Sequence, residues 1–312
     1  MGVVSRLAPS PTGLVHLGHA RTFLVAWLSA RSQRGRVLLR HEDLDQERSR
    51  DSYAVDCERD LRWLGLDWDG PPSKQSEHAG LFSAAALKLT QAGATYPCVC
   101  TRAEVRAAIA APHTGDSGDI YPGTCKGLFE SIEEAKSRTG RDPALRYSVD
   151  EVEVEIFDAL TGAHKLSPFT DFGDFPITSR DGHAAYHLAV VVDDAHQGVT
   201  EVVRGDDLLT SSGPQALLQD ALGLQRPNWL HVPLVLDHDA KRLAKRSDSV
   251  SLALLRDSGV DPRELVAWLA KGLGLGDFGA ISPQELISYF SPGALSREPL
   301  QLPADLLGAL SS

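Results

Sequence analysis

The chain has 312 residues, 42% of them hydrophobic and 23% charged, with a formal net charge of −11. That length and balance suit one large or two moderate globular domains with a substantial core, and the acidic excess argues against a generalist nucleic-acid binder, which needs a broad basic surface. No apolar run approaches the roughly 20 residues of a membrane helix, the apolar start at residues 3–10 is too short for a signal peptide, and the cysteines lack the spacing of a small secreted framework; the expected location is the cytoplasm.

In chain order, residues 3–7 read as a short buried strand. Residues 17–33 read as a helix, with Leu17, Phe23, Leu24, Trp27 and Leu28 near helical spacing, and residues 37–39 as a second buried strand leading into the charged stretch from Arg40 to Asp45. Strand, helix, strand in this order predicts a right-handed parallel unit of an α/β fold, with ligands at the carboxyl ends of the strands. Residues 51–64 and 78–91 read as further helices, the first capped by Ser49. Residues 94–127 change character to a Gly- and Pro-containing insert carrying Cys98, Cys100 and Cys125. The alternation of Val152, Val154 and Ile156 predicts a half-exposed strand within 145–157, and the apolar runs 188–192 and 199–203 predict buried strands returning to the sheet. Residues 214–222 read as a helix, and the chain after Arg246 as helices around 252–255, 262–273 and 283–289.

Between the first strand and the first helix stands RLAPSPTGLVHLGH, from Arg6 to His19. A helix N-terminus offers unpaired N–H groups and about half a positive charge, so it attracts phosphate. His16 and His19, three apart, share one face of the first turn, and Gly18 carries no side chain to block a ligand. Far downstream, KRLAKRS places Lys241, Arg242, Lys245 and Arg246 in six residues, too many cations for a core, so this loop is exposed and able to close on an anion. Arg31, Arg34 and Arg36 form another basic cluster, which could belong to a local RNA footprint or to ordinary solvated surface.

Within the insert, Cys98 and Cys100 form CxC, and Tyr121 and Cys125 form YxxxC. Thiolates at i and i+2 can face one ion, and zinc takes four tetrahedral ligands. Three cysteines leave the fourth to Tyr121, His113 or Cys57, and donor chemistry alone prefers His113, because imidazole is the commoner zinc ligand.

RLAPSPTGLVHLGHAR, LLRHEDLD (Leu38 to Asp45), YHLAVVVDD (Tyr186 to Asp194), VVRGDDLL (Val202 to Leu209) and the KRLAKRS loop, in that order, resemble the glutamyl-tRNA synthetase family. The resemblance implies a class I aminoacyl-tRNA synthetase Rossmann-type catalytic domain that makes glutamyl-adenylate from L-glutamate and ATP with Mg²⁺, then passes the glutamyl group to a tRNA hydroxyl. Such chemistry needs positioning and fixed cations rather than a protein nucleophile. By the family pattern His16, Gly18, His19 and Lys245 serve ATP, with Lys245 on the departing pyrophosphate. Arg6 and Arg204 recognise carboxylate, Glu42 meets the α-ammonium, Tyr186 closes the glutamate pocket, and the segment Leu7, Ala8, Pro9, Ser10 supplies backbone contacts. The basic loop departs from the KMSKS-like form at Arg242 and Ala244 and keeps Lys245; His187 departs from the family's Gln.

The insert resembles that of the short glutamyl-Q branch of this family, which implies a structural Zn²⁺ on Cys98, Cys100, Tyr121 and Cys125. Residues 247–312 suffice for a few helices and not for a large anticodon-binding region, and Val190 stands where the longer enzymes carry a polar residue. Both point to the short branch, whose acceptor is queuosine at the wobble position of tRNA(Asp), so the expected partner is that anticodon stem-loop. A truncated or discriminating enzyme charging the tRNA 3′ end, and an inactive zinc-dependent RNA-binding paralogue, remain as alternatives. The expected division is 1–93 and 145–240 as the two halves of the catalytic domain, 94–144 as the zinc insert, and 241–312 as the basic loop with a C-terminal helical region.

Overall fold

A computed structural model of the chain describes residues 2–110, 120–241 and 251–310. His113 of the insert and Arg242, Ala244, Lys245 and Arg246 of the basic loop lie outside the described residues. β1 (Val4–Leu7), α1 (Leu17–Ser32) and β2 (Arg36–His41) form the expected parallel unit, Val4 beside Arg36 and Leu7 beside Leu39. α1 is apolar nearly all round, so it has to be enclosed on every side; Leu24, Val25, Ala26 and Leu28 are fully buried. α2 (Asp51–Trp63) begins behind Arg50 rather than Ser49, without a side-chain cap, and the Ser49 hydroxyl is buried without a hydrogen-bond partner among the described residues. β3 (Ser73–Lys74) extends the sheet and α3 (Ala79–Gln91) follows.

Next come β4 (Thr95–Cys98), α4 (Arg102–Ala110), α5 (Ile132–Thr139), β5 (Ala144–Tyr147), the hairpin β6 (Val154–Asp158) and β7 (Gly162–Leu166), α6 (Pro168–Asp171) and β8 (Phe175–Pro176). β4, β5 and β8 make a small antiparallel sheet, with Cys98 at the end of β4 and Cys100 just beyond it. The predicted alternation holds for Val154 and Ile156, which point inward from β6, whereas Val152 lies ahead of the strand and is exposed.

The apolar run 188–192 is a helix and not the expected strand. It is the buried middle of α7 (Tyr186–His196), packed with α3 and with α8 (Ser212–Leu222) around Leu89, Leu188 and Leu218. Five consecutive apolar residues carry the same pattern in either state; here enclosure between two other helices buries the full circumference. β9 (Glu201–Gly205) and β10 (Asn228–Val232) are parallel, with Arg204 beside His231, and β10 also pairs with β6. β11 (Val235–Leu236), α9 (Leu252–Asp257), α10 (Pro262–Gly272), α11 (Pro283–Leu286), β12 (Leu300–Gln301) and α12 (Leu306–Leu310) complete the described chain.

Two sheets, β1-β2-β3 and β7-β6-β10-β9, meet edge to edge. Thr200 N–H donates to the Val4 carbonyl, and Val4 N–H to Thr200 Oγ1, each at 2.9 Å. The chain therefore leaves β1 toward β2 on one side and returns on the other through β9, which creates a topological switch point with a crevice at the strands' carboxyl ends. Fully buried Arg21 on α1 clasps the later chain: Nη1 donates to the carbonyls of Pro233 (2.5 Å) and Leu234, and Nη2 to those of Gly272 and Glu298. Burial lowers its pKa to about 10.

Gly35 makes the tight return from α1 to β2. A Cβ there would stand 2.4 Å from the Val3 carbonyl oxygen, a backbone atom that cannot rotate away. Gly35→Ala is expected to destabilise the protein by about 1–3 kcal/mol, the range for overpacking, read as a lowered urea midpoint with unchanged slope; an unchanged midpoint would contradict this packing.

Candidate active site

A cavity of about 830 Å³ opens at the switch point, lined by the carboxyl ends of β1 and β9, the start of α1 and the first residue of α7. Of the residues singled out in the sequence, Arg6, Ala8, Ser10, His16, Gly18, His19, Glu42, Tyr186 and Arg204 all face it. Leu7 and Pro9 do not: Leu7 packs in the core, and Pro9 is buried with its carbonyl accepting the Glu42 N–H at 2.9 Å. Lys245 lies outside the described residues.

His16 is the N-cap of α1, where Ser, Thr, Asp or Asn usually stands. Its Nδ1 accepts from Gly18 N–H at 3.1 Å, and its ring stacks on His19 at 3.8 Å between centroids. Gly18 thus does more than leave ligand space: a Cβ there would press to 3.0 Å against the His16 ring.

On the opposite wall, the Asp194 carboxylate at the C-terminal end of α7 accepts from Arg6 Nε at 3.3 Å and from Arg40 Nη1 at 2.7 Å. Arg40 Nη2 also donates to Glu42 Oε1 at 3.1 Å, and Arg6 Nη1 to the Val203 carbonyl at 3.1 Å. Adjacent Asp193 accepts from Gln75 and pairs with His78 at 2.7 Å. Two carboxylates at a helix C-terminus oppose the macrodipole, so only these buried cations and donors make the placement tenable. Burial would raise the Asp194 carboxyl, but Arg40 and Arg6 outweigh it and hold it below the ordinary carboxylate value. Glu42 is pushed up by burial despite Arg40 and Arg6. The sequence motifs that contain Arg40 and Asp194 assign neither a role; the signals for them are an arginine inside an apolar strand and an acid pair closing an apolar run.

Arg204 is buried differently. Nε donates to His231 Nε2 at 3.1 Å, Nη1 to Gln215 Oε1 at 2.8 Å and Nη2 to Ser212 Oγ at 2.7 Å. Behind it, His231 Nδ1 and the His231 backbone N–H each lie 2.8 Å from Asp158 Oδ2. His187 beside Tyr186 packs edge-on to Phe172 and Phe175, and burial lowers its pKa to about 4, so it is neutral at physiological pH.

The insert brings the Sγ atoms of Cys98, Cys100 and Cys125 within 4.8 Å of one another. Tyr121 Oη stands 3.4 Å from Cys98 Sγ and 3.5 Å from Cys100 Sγ, so four donors converge. Thiolates about 2.3 Å from zinc lie roughly 3.8 Å apart, and this donor set fits such an ion. Arg146 Nε donates to Cys98 Sγ at 3.3 Å while its guanidinium covers the Tyr121 ring at 3.8 Å, a cation beside a site rich in anionic donors. Cys57 is packed in the α1–α2 core, apart from this cluster. Arg31, one of the basic cluster near the start, is spent on Asp67 and Asp69 at 2.8 Å each.

Residues 2–294 match the family model described as tRNA synthetases class I (E and Q), catalytic domain, and the chain belongs to that family. It is 45% identical to a glutamyl-Q tRNA(Asp) synthetase of Nitratidesulfovibrio vulgaris, over 98% of this chain and 97% of that protein. It is 47% identical to the Deinococcus radiodurans protein of the same name, over 92% and 94%. A crystal structure of a glutamate tRNA ligase from Elizabethkingia meningosepticum shares the fold, with a TM-score of 0.83 at 24% identity over 97% of this chain and 68% of that one. The fold is thus the class I synthetase catalytic α/β fold, the chain is an aminoacyl-tRNA synthetase-type ligase, and its relatives of matching length place it in the glutamyl-Q branch.

Replacing Asp194 with Ala would leave two buried guanidinium groups without their shared carboxylate. Loss of one partner of a buried ion pair costs about 3–5 kcal/mol, so Asp194→Ala is expected to lower the chemical-denaturation free energy by that amount. A change under about 1 kcal/mol would show that the pair is not structurally required.

Proposed function

We propose that the protein joins L-glutamate to ATP as glutamyl-adenylate and transfers the glutamyl group to queuosine at the wobble position of tRNA(Asp). The observation that carries this reading is the division of one cavity into two chemistries. Buried Arg6 and Arg204 with Glu42 form one wall, suited to an amino diacid, and the His16–His19 helix start forms the other, suited to phosphate. In the first step a glutamate carboxylate oxygen bonds to the α-phosphorus in line with the leaving group. The bond from that phosphorus to the bridging oxygen breaks and pyrophosphate departs, with no proton transfer and no protein nucleophile. Arg6 and Arg204 hold the amino acid's carboxylates, Glu42 its ammonium, Tyr186 the mouth, and Ala8 to Ser10 the backbone side. His16, Gly18 and His19 position the nucleotide with Mg²⁺, and Lys245 neutralises the leaving pyrophosphate. Ser251, just past the basic loop, bridges to His16, and Leu252 N–H donates to the Val15 carbonyl at 2.8 Å, so the described end of that segment is tied to the nucleotide wall.

The acceptor assignment rests on the glutamyl-Q relatives, which match this chain nearly end to end. Residues 1–93 and 145–240 are taken as the catalytic halves, 94–144 as the insert and 241–312 as the loop and helical region. Cys98, Cys100, Tyr121 and Cys125 are assigned a structural zinc, which would fix the small insert core of Tyr96, Val99 and Ala135. The cytoplasm is the location that goes with a tRNA substrate; among the described residues no helix is long and apolar enough to cross a membrane.

The test has two stages. Glutamate-dependent ATP–pyrophosphate exchange is expected without tRNA, followed by labelling of queuosine-containing tRNA(Asp) in its anticodon fragment; label at the 3′ end, or equal labelling without queuosine, would overturn the acceptor. Zinc analysis after dialysis against a chelator is expected to show loss of a single bound ion together with a lower melting temperature. Retention of full stability after complete metal loss would refute a structural zinc.

A further inference from the structure

The two arginines facing the cavity are buried in opposite ways. Arg6 meets the Asp194 carboxylate, whereas Arg204 has no carboxylate within ion-pair distance among the described residues and is held by three neutral acceptors. A buried cation without a contact anion is costly, so the site is built to receive one. Three of the five guanidinium N–H groups are committed to these acceptors, and the remaining pair, one on each Nη, is shared between the neighbouring Tyr186 hydroxyl and the cavity, where it can meet a carboxylate.

The orientation of that pair depends on His231. Arginine has no acceptor, so His231 Nε2 has to be the acceptor of the Nε bond, and the imidazole proton sits on Nδ1, donated to Asp158 Oδ2. Asp158 is fixed as an anion by the His231 backbone N–H on Oδ2, and by Leu160 N–H, Thr161 N–H and Thr161 Oγ1 on Oδ1. The groups facing His231 are Asp158 on β6, Arg204 and Asp206 at the end of β9, and Ser212 on α8 at 3.5 Å. A second proton on the ring would put an N–H donor against an N–H donor and a cation against a cation.

We propose that His231, locked in its Nδ1–H tautomer by Asp158, is a positioning residue for substrate selection: it orients Arg204 so that the site demands a carboxylate, and not a carboxamide, at the end of the amino acid. The inference deepens the glutamate-activation reading and rests on it. The imidazole is kept neutral because burial lowers its pKa against the pull of Asp158.

Glutamate-dependent pyrophosphate exchange by the full chain tests this, with glutamate and ATP varied separately. His231→Leu is expected to raise the glutamate KM roughly 10- to 100-fold, the equivalent of one hydrogen bond to a charged group, with the ATP KM unchanged and the preference for glutamate over glutamine reduced. His231→Gln, whose amide can accept from Arg204 and donate to Asp158, is expected to recover most of that loss. In the wild type the glutamate KM should rise on acidification below the ordinary imidazole range, and in His231→Gln the part of this rise that the imidazole contributes should be lost, leaving the shallower rise that protonation of Glu42 gives both proteins. That comparison needs only folded proteins and does not depend on the Leu variant folding. A folded His231→Leu with the wild-type glutamate KM, or identical pH profiles for wild type and His231→Gln, would overturn the proposal. Absence of exchange by the wild type would instead refute glutamate activation itself.

Discussion

One buried carboxylate holds the site together. Asp194 is shared by Arg6 at the end of β1 and Arg40 at the end of β2, and it arrives from the last turn of α7. A helix C-terminus is the wrong place for an acid unless cations meet it, so the pairing fixes where α7 ends relative to the two strands. Since Tyr186 begins the same helix, the contact also sets one wall of the cavity. Arg40 then reaches Glu42, so the acid assigned to the substrate ammonium is oriented by the guanidinium that anchors the helix.

From this constraint the site follows as a division of charge. Arg6 is neutralised by protein, Arg204 is held among the described residues by neutral acceptors, and Glu42 is largely buried beside them. The arrangement leaves cationic demand on the cavity side, which an amino diacid satisfies. The helix start bearing His16 and His19 supplies a second electrostatic pole in the same cavity. Fixed dipoles and cations of this kind need no reorganisation during reaction, which is what adenylation requires of a protein.

Much of this was legible in the sequence because β1, α1 and β2 obey local rules. A strand, a Pro/Gly turn and an apolar helix read correctly, and the parallel unit placed Arg6, the histidines and Glu42 at one edge. What could not be read was whatever depends on enclosure. The run 188–192 looks the same as a strand or as a helix buried on all sides, and only α3 and α8 decide it. The same holds for the partners that orient the site: Arg40, Asp194, Asp158 and His231 are far apart in the chain and meet only through sheet order. In the sequence Gly18 is an open approach to the helix start, and its tight contact with the His16 ring is likewise a three-dimensional fact.

Charge matching within one cavity is the proposed basis of glutamate activation. It is tested most directly by ATP–pyrophosphate exchange with purified protein and each amino acid in turn, without tRNA. Exchange with glutamate is expected to be well above that with glutamine or aspartate. Exchange that is absent with glutamate, or equal for glutamate and glutamine, would contradict it.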